Sequence, residues 1–200
     1  MPNPVEFFFD FSSPYGYIAS EKIDDLSAKY DRIVLWRPFL LGVAFKVTGG
    51  APLPSIPIKG QYALLDIERS ARFHGLRYRH PSKFPISSVT PARAFYWLDA
   101  RDHGAAKSLA KAFFRAYFQD NVDISNIEEA VRIGAICGLD PEIVRNGISE
   151  ADTKERTRKE VEAGLAKGVF GSPYFIVDGE PFWGADRLDQ VEKWLACGRF

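Results

Sequence analysis

The first residues of the chain follow a pattern that is typical of a buried strand. All odd positions from Val5 to Phe11 are apolar, and β-branched or aromatic types dominate the segment. Ser12-Ser13-Pro14 comes next, and a serine directly before a proline favours the start of a helix. Apolar residues then recur at steps of three and four as far as Tyr30, which predicts one helix, and Ile33–Trp36 predicts a second strand. Strand, helix and strand at this spacing indicate a βαβ unit.

The middle of the chain predicts helices and gives little strand signal. Positions 48–57 are rich in glycine and proline and predict a loop, and helical patterns follow it. Ser125-x-x-Glu128 matches a capping box, Asp140-Pro141 matches a helix start, and Ser149-x-x-Asp152 weakly resembles a further cap. The helical patterns run over positions 61–73, 90–98, 109–117, 125–138, from 140, and from 149 to about 168.

Strand character returns near the C-terminus. Positions 173–177 are apolar, Asp178-Gly179 is a strong hairpin signal, and positions 180–183 complete the pair. Asp186 is predicted to cap a final helix. The order of elements is therefore βαβ, a helical block, a β-hairpin and a helix.

Composition and charge narrow the classes of function. Lys and Arg total 26, and so do Asp and Glu, so bulk charge gives no reason to expect nucleic acid or an anionic membrane as a partner. Cys137 and Cys197 are the only cysteines and lie far apart, which excludes a C-x-x-C motif and argues against a metal site. Met1-Pro2-Asn3-Pro4 lacks the features of a signal peptide and no apolar run reaches membrane-span length, so we expect a cytoplasmic protein.

The order of elements resembles an α/β thioredoxin-like fold with an all-helical insertion, as in the DsbA-like branch. The resemblance implies a discontinuous thioredoxin-like domain, 1–42 with 166–200, and an inserted helical domain, 43–165. The motif Ser13-Pro14-Tyr15 resembles the start of the first helix in kappa-class glutathione transferases and in 2-hydroxychromene-2-carboxylate isomerases. Three further matches follow in the family's order: Lys59-Gly60-Gln61-Tyr62, Gly168-Val169-Phe170-Gly171-Ser172-Pro173, and Gly184-Ala185-Asp186-Arg187.

Two positions depart from the family's pattern. Some relatives carry an asparagine that contacts glutathione in the loop before the lysine, and the nearest match here is Gly50, which has no side chain. The residue before the cis-proline is often valine, whereas it is Ser172 here. The backbone of Ser172 is still expected to pair with the peptide part of glutathione, because that contact uses no side chain.

The resemblance implies glutathione as the cofactor, an aromatic or electrophilic small molecule as the substrate, and a homodimer. Ser13 would be the catalytic residue, because its hydroxyl can donate a hydrogen bond to the glutathione thiolate at a helix N-terminus. The remaining implied ligands of glutathione are Lys59, Gly171, Ser172, the cis-proline Pro173, Asp186 and Arg187. Taken alone, Ser13 is better explained as a helix cap and Lys59 as a solvated lysine, and Asp186 can be a helix cap as well; the match of all four motifs favours the glutathione site.

Several functions remain open from the sequence. The first is a glutathione-dependent isomerase of the 2-hydroxychromene-2-carboxylate type that acts in aromatic compound degradation, and the second is a kappa-type glutathione transferase or peroxidase. A DsbA-like disulfide oxidoreductase is disfavoured, because positions 12–15 hold no cysteine and serine cannot form a mixed disulfide. A non-catalytic module that binds thiol peptides is a further alternative. Tyr96 and Trp97 are predicted either to line an aromatic pocket or to belong to the core.

Overall fold

A computed structural model of the chain describes residues 3–200. Met1 and Pro2, which begin both the predicted first domain and the segment searched for a signal peptide, lie outside the described residues. Four strands form one mixed sheet in the order β2-β1-β3-β4. Strand β1 (Val5–Phe9) pairs in parallel with β2 (Val34–Pro38), and β3 (Tyr174–Val177) is antiparallel to both β1 and β4 (Glu180–Trp183). This pairing confirms the thioredoxin-like order that the sequence predicts.

The helices divide into those next to the sheet strands in sequence and those between β2 and β3. The first group is α1 (Pro14–Ser20), α2 (Ile23–Ala28) and the last helix, α10 (Leu188–Cys197). The second group is α3 (Leu41–Thr48), α4 (Lys59–Phe73), α5 (Val89–Asp99), α6 (His103–Phe118), α7 (Ile127–Ile136), α8 (Pro141–Ser149) and α9 (Ala151–Ala166). Short 3-10 turns span Leu53–Ser55 and Ala185–Arg187.

The single helix predicted between residues 15 and 30 is two helices. The Ser20 hydroxyl donates a hydrogen bond to the Tyr17 carbonyl oxygen at 2.7 Å, and Ser20 is fully buried. That carbonyl would accept from the Glu21 amide in an unbroken helix, so the serine competes with the helical ladder. The chain therefore leaves α1 and re-enters a helix at Ile23.

Three of the predicted helix caps are wrong, and two, at Ser13 and Asp140, are confirmed. Asn126 caps α7 by accepting from the Glu128 amide at 2.9 Å, because the Ser125 hydroxyl is already bonded to Asp123. Helix α9 begins after Glu150 without a side-chain cap, and α10 begins at Leu188, beyond Asp186. Asp140 caps α8 as predicted, by accepting from the Ile143 amide at 3.0 Å.

One large core joins the sheet to the helices between β2 and β3. Phe7, Phe9 and Trp36 of the sheet belong to the same buried cluster as Phe95 of α5 and Phe114 of α6. Burying such aromatic side chains is a main source of stability, at about 25 cal/mol for each Å² of apolar surface removed from water. The division of the chain at residues 42 and 166 stays a prediction.

The predicted hairpin is confirmed. Asp178 and Gly179 have φ angles of 53° and 89°, which are the positive values that a tight two-residue turn between β3 and β4 requires. None of the helices within residues 3–200 combines the length and apolar character needed to cross a bilayer.

Candidate functional site

A mostly apolar cavity of about 560 Å³ lies where β1 meets α1. Its wall is formed by the 10–15 turn, by α3 and the loop that follows it, by residues 84–89 at the start of α5, and by residues 170–172 before β3, with Ile67 of α4 and Trp183 of β4. The apolar side chains on this wall include Leu41, Phe45, Leu53, Ile56, Ile86 and Trp183. A largely apolar cavity with a few polar groups is typical of a small-molecule site.

Ser13 lies on the wall of the cavity and is 6 % exposed. It caps α1, because its hydroxyl oxygen accepts from the Gly16 amide at 3.0 Å. The same hydroxyl donates its proton to the backbone carbonyl oxygen of Ser172 at 2.9 Å. The capping interpretation of Ser13 is therefore confirmed, and its predicted catalytic role stays a prediction.

The Ser172–Pro173 peptide bond is cis, as the resemblance implies. Gly171 and Ser172 line the cavity, whereas Pro173 is buried behind them and its carbonyl accepts from the Gly184 amide at 3.0 Å. The Ser172 side-chain oxygen accepts from the Asp10 amide at 2.9 Å. Within residues 3–200 the Ser172 N–H has no hydrogen-bond acceptor, and its carbonyl oxygen accepts only from Ser13. A cavity wall with a free peptide N–H and a partly used carbonyl suits a peptide ligand.

Asp10 is a site residue that the sequence interpretation missed. It is 3 % exposed and lines the cavity. Its Oδ1 accepts from the amide and the hydroxyl of Ser12, both at 2.7 Å, and from the Ser88 hydroxyl, while its Oδ2 accepts from the Leu41 amide at 2.7 Å. The carboxylate thus joins three of the segments that form the cavity. An aspartate at the end of a run of phenylalanines was the available signal, because such a position is buried and a buried charge must be bonded.

Lys59, Asp186 and Arg187 are exposed and are not part of the cavity wall. Lys59 is the first residue of α4 and follows Ile58, whose φ of 68° is unusual for a β-branched residue. Asp186 lies in the 3-10 turn before α10, with its carboxylate 3.5 Å from the Arg187 guanidinium. The structure therefore brings Ser13, Gly171 and Ser172 together, and their predicted partners lie outside that wall.

Tyr15 links the site to α4. Its hydroxyl donates to the Asp66 carboxylate at 2.6 Å, and Asp66 also accepts from Arg69 at 2.8 Å. Burial first, and then the Asp66 hydrogen bond and charge, raise the pKa of Tyr15 well above its ordinary value, with a smaller contribution from the Asp186 carboxylate. Tyr15 is therefore a neutral hydrogen-bond donor, and Asp186 lies close enough for its charge to act on it.

Two glycines allow aromatic side chains to form parts of the cavity wall. A Cβ on Gly171 would lie 2.1 Å from the Trp183 indole nitrogen, so the indole rests directly on the glycine. Trp183 also packs edge to face on Phe170, with ring centroids 4.8 Å apart. A Cβ on Gly50 would lie 2.9 Å from the Phe45 ring, so this ring occupies the space that an asparagine side chain would need. These aromatic residues were not predicted as site residues.

Tyr96 and Trp97 belong to the core and not to the cavity wall. Both are buried, the Tyr96 hydroxyl donates to the Pro38 carbonyl at 2.7 Å, and Gly147 packs against the Trp97 indole. Of the two alternatives left open by the sequence, the core interpretation is the correct one.

Comparison with known proteins agrees with this architecture. Residues 4–196 match the family model of the DSBA-like thioredoxin domain. The chain is 29% identical to a 2-hydroxychromene-2-carboxylate isomerase of Sphingobium xenophagum, over 98% of this chain and 99% of that protein. It is 31% identical to glutathione S-transferase kappa 1 of Caenorhabditis elegans, over 96% of this chain and 90% of that protein.

A solved structure of a 2-hydroxychromene-2-carboxylate isomerase superposes with a TM-score of 0.86 at 23% identity, covering 96% of this chain and 94% of the other. The similarity extends over nearly the whole length of each protein, and the named relatives are enzymes. The chain belongs to the DSBA-like thioredoxin-domain family, and within it to the group of 2-hydroxychromene-2-carboxylate isomerases and kappa-class glutathione transferases.

Proposed function

We propose that this protein is a glutathione-dependent isomerase that acts on conjugated substrates of the 2-hydroxychromene-2-carboxylate type in aromatic compound degradation. The observation that carries the proposal is the junction of Ser13 with Ser172 on the wall of one apolar cavity. Residues 12–15, where a disulfide oxidoreductase of this fold would need its cysteine, are Ser-Ser-Pro-Tyr. The reactive sulfur must therefore come from a ligand.

The residues present fit glutathione. The unbonded Ser172 N–H and its carbonyl offer one donor and one acceptor to a peptide backbone. The Ser13 hydroxyl would stabilise a thiolate held beside it, and Lys59 and Asp186 are the candidates for the terminal charged groups of the tripeptide. Glutathione, when bound, supplies a thiol that adds reversibly to a conjugated double bond and so permits rotation.

The apolar wall would hold the acceptor and exclude water from it. Phe45, Ile86 and Trp183 offer flat or branched apolar surface to an aromatic ring. Lys46 is also among the residues that line the cavity, and its ammonium would supply positive charge to a carboxylate or to a carbonyl oxygen that gains negative charge. Cys137 and Cys197 lie outside the cavity wall and have no part in the proposal.

A kappa-type glutathione transferase is the second candidate, because the 31% identity to a kappa transferase is as informative as the 29% identity to an isomerase. Both functions use the same cofactor residues and differ in the acceptor. A titration with glutathione, followed by thiolate absorbance near 240 nm, tests what they share. Wild type should bind glutathione and lower its thiol pKa, and Ser13→Ala should lose most of that shift.

Loss of a helix cap is the confounding effect of Ser13→Ala, at about 1 kcal/mol of stability. Asp140→Ala is the matched control, since it removes a comparable cap from α8, away from the cavity wall. Two assays then distinguish an isomerase from a transferase: one measures the interconversion of hydroxychromene carboxylate, and the other measures the conjugation of chlorodinitrobenzene. Clear conjugation without interconversion would rule out the isomerase.

A homodimer is part of the proposal. Exposed apolar side chains lie on α3, on α4 and in the loop that joins them, where Val47, Ile58, Leu65 and Phe73 are 71, 90, 64 and 84 % exposed. Large apolar side chains exposed on these segments favour a protein partner, and a second copy is the simplest one. Light scattering on the purified protein measures the mass directly, and a monomer over the micromolar range would contradict the dimer.

A further inference from the structure

The proton of the Ser13 hydroxyl already takes part in a hydrogen bond in this structure. It is donated to the Ser172 carbonyl oxygen at 2.9 Å, while the hydroxyl oxygen accepts from the Gly16 amide at 3.0 Å. A hydroxyl has a single proton to donate. Ser13 can therefore donate to a ligand sulfur only by turning away from Ser172, and this rotation has a consequence for the carbonyl that it leaves.

The Ser172 carbonyl has no other donor among residues 3–200. Ser172 lines the cavity, next to Ser13, which is 6 % exposed. If Ser13 turned to a sulfur with nothing in its place, the carbonyl would lose its hydrogen bond, and this loss would offset the gain at the thiolate. A small thiol bound in the cavity would leave the carbonyl in that state.

A ligand amide changes this balance. Ser13 Oγ is only 2.9 Å from the Ser172 carbonyl oxygen. When the thiol of a peptide ligand lies beside Ser13, the ligand residue that carries this thiol therefore lies next to Ser172. The amide N–H nearest to the thiol, and so the one best placed to reach this carbonyl, is that of the residue that carries the thiol. Once that N–H donates to the carbonyl, the hydroxyl is free to donate to the thiolate, which is the stronger, charged acceptor.

We propose that the Ser172 carbonyl is a specificity-determining group that releases the Ser13 hydroxyl for thiolate stabilisation only when the amide N–H of a cysteinyl ligand replaces it. Recognition of the peptide and activation of the thiol are then one event. Thiols without this N–H fit the cavity, but the Ser13 hydroxyl stabilises their thiolate form only slightly. Since glutathione is itself the proposed ligand, the switch stands only if the protein binds it.

The test combines a change in the ligand with a change in the protein. Glutathione is compared with an analogue in which the amide nitrogen of the cysteinyl residue is replaced by an ester oxygen. Each is titrated to saturation against wild type and Ser13→Ala, and the pKa of the bound thiol is read from absorbance near 240 nm. Each value is corrected for the pKa of the free ligand, and saturation removes differences in affinity.

With glutathione, Ser13→Ala should reduce the thiolate equilibrium about tenfold, which is one pKa unit, and with the ester analogue by less than about twofold. An equal effect of Ser13→Ala on both ligands would overturn the switch while leaving glutathione use intact. Absence of saturable glutathione binding to wild type would overturn the proposed function and the switch together.

A second measurement does not depend on the variant's folding. In wild type alone, the bound thiol of glutathione should have a pKa about one unit further below its free value than that of the ester analogue. Equal shifts for the two ligands would contradict the proposal. Asp140→Ala serves as the cap control and should give the wild-type shifts with both ligands.

Discussion

The buried carboxylate of Asp10 accepts a hydrogen bond from the backbone amide of Leu41 at 2.7 Å, and this bond ties the end of β1 to the start of α3. Asp10→Ala would leave this amide, the Ser12 amide and two serine hydroxyls without their acceptor. We expect a loss of about 3–5 kcal/mol in the free energy of unfolding. Denaturant unfolding measures it, with Asp102→Ala as a control that removes an exposed cap of α6. A loss no larger than in this control would show that Asp10 does not anchor the cavity.

Lys46 should affect the choice of acceptor more than the handling of glutathione. It lines the cavity, and its ammonium is the charge that a carboxylated acceptor would meet there. Lys46→Gln should lower kcat/KM for hydroxychromene carboxylate about threefold, the size expected of an exposed ion pair, and leave conjugation of neutral chlorodinitrobenzene unchanged. Lys154→Gln, an exposed lysine on α9 away from the cavity, is the matched control. Equal losses with both acceptors would mean that Lys46 does not recognise the carboxylate.

Gly171→Ala should displace the Trp183 indole, because the new Cβ would lie 2.1 Å from its ring nitrogen. Trp183 is 56 % exposed and can swing away, so the cost in stability should be about 1 kcal/mol or less. The acceptor should bind more weakly, and Trp183→Ala should reproduce the same rise in KM. Steady-state kinetics of the two single variants and the double variant check the coupling. If the two effects simply add in the double variant, the glycine acts independently of the indole.

Asp66 should contribute to the acid sensitivity of the fold. Hydrogen bonds from Arg69 and then Tyr15 hold the pKa of the Asp66 carboxyl below its ordinary value. A carboxyl with a lowered folded-state pKa stabilises the fold above its unfolded pKa of about 4, and this contribution is lost as pH falls through the folded value. Asp66→Asn should therefore flatten the fall in Tm between about pH 5 and pH 2. Asp120→Asn, at an exposed carboxylate with no side-chain bond among residues 3–200, should follow wild type. A wild-type slope in Asp66→Asn would contradict the assignment.

The sequence predicts the strands and the order of the fold well, because their patterns are local. The alternation from Val5 and the turn at Asp178-Gly179 both report on a few neighbouring residues. Helix α3 was missed, since Ala44 is its only buried residue and it has no side-chain cap, so no apolar stripe marks it. The helix break after Ser20 coincides with a side-chain hydrogen bond from Ser20 to the Tyr17 carbonyl, which no periodicity reveals.

The sequence predicts the site residues whose positions follow from the order of the motifs. It misses those that only tertiary packing brings to the cavity. Ser13 lies where β1 meets α1, and Ser172 precedes the cis-proline that leads into β3, so the motif order is enough to predict both positions. The cavity wall needs Phe45 and Trp183 from segments that meet only in the folded chain. Lys59 and Asp186 are both exposed, and within residues 3–200 neither has a buried partner, so their predicted contacts with glutathione stay predictions.

The bond between Ser13 and Ser172 joins positions that are 159 residues apart. Bringing such distant segments together costs loop-closure entropy, which must be overcome before the contact contributes any stability. The helices between β2 and β3 pack on one another and share a core with β1 and β2, but neither arrangement by itself brings Ser172 to Ser13. The cavity wall is therefore complete only when β3 pairs with β1, so a nascent chain cannot complete its site before residues 172–177 have emerged from the ribosome.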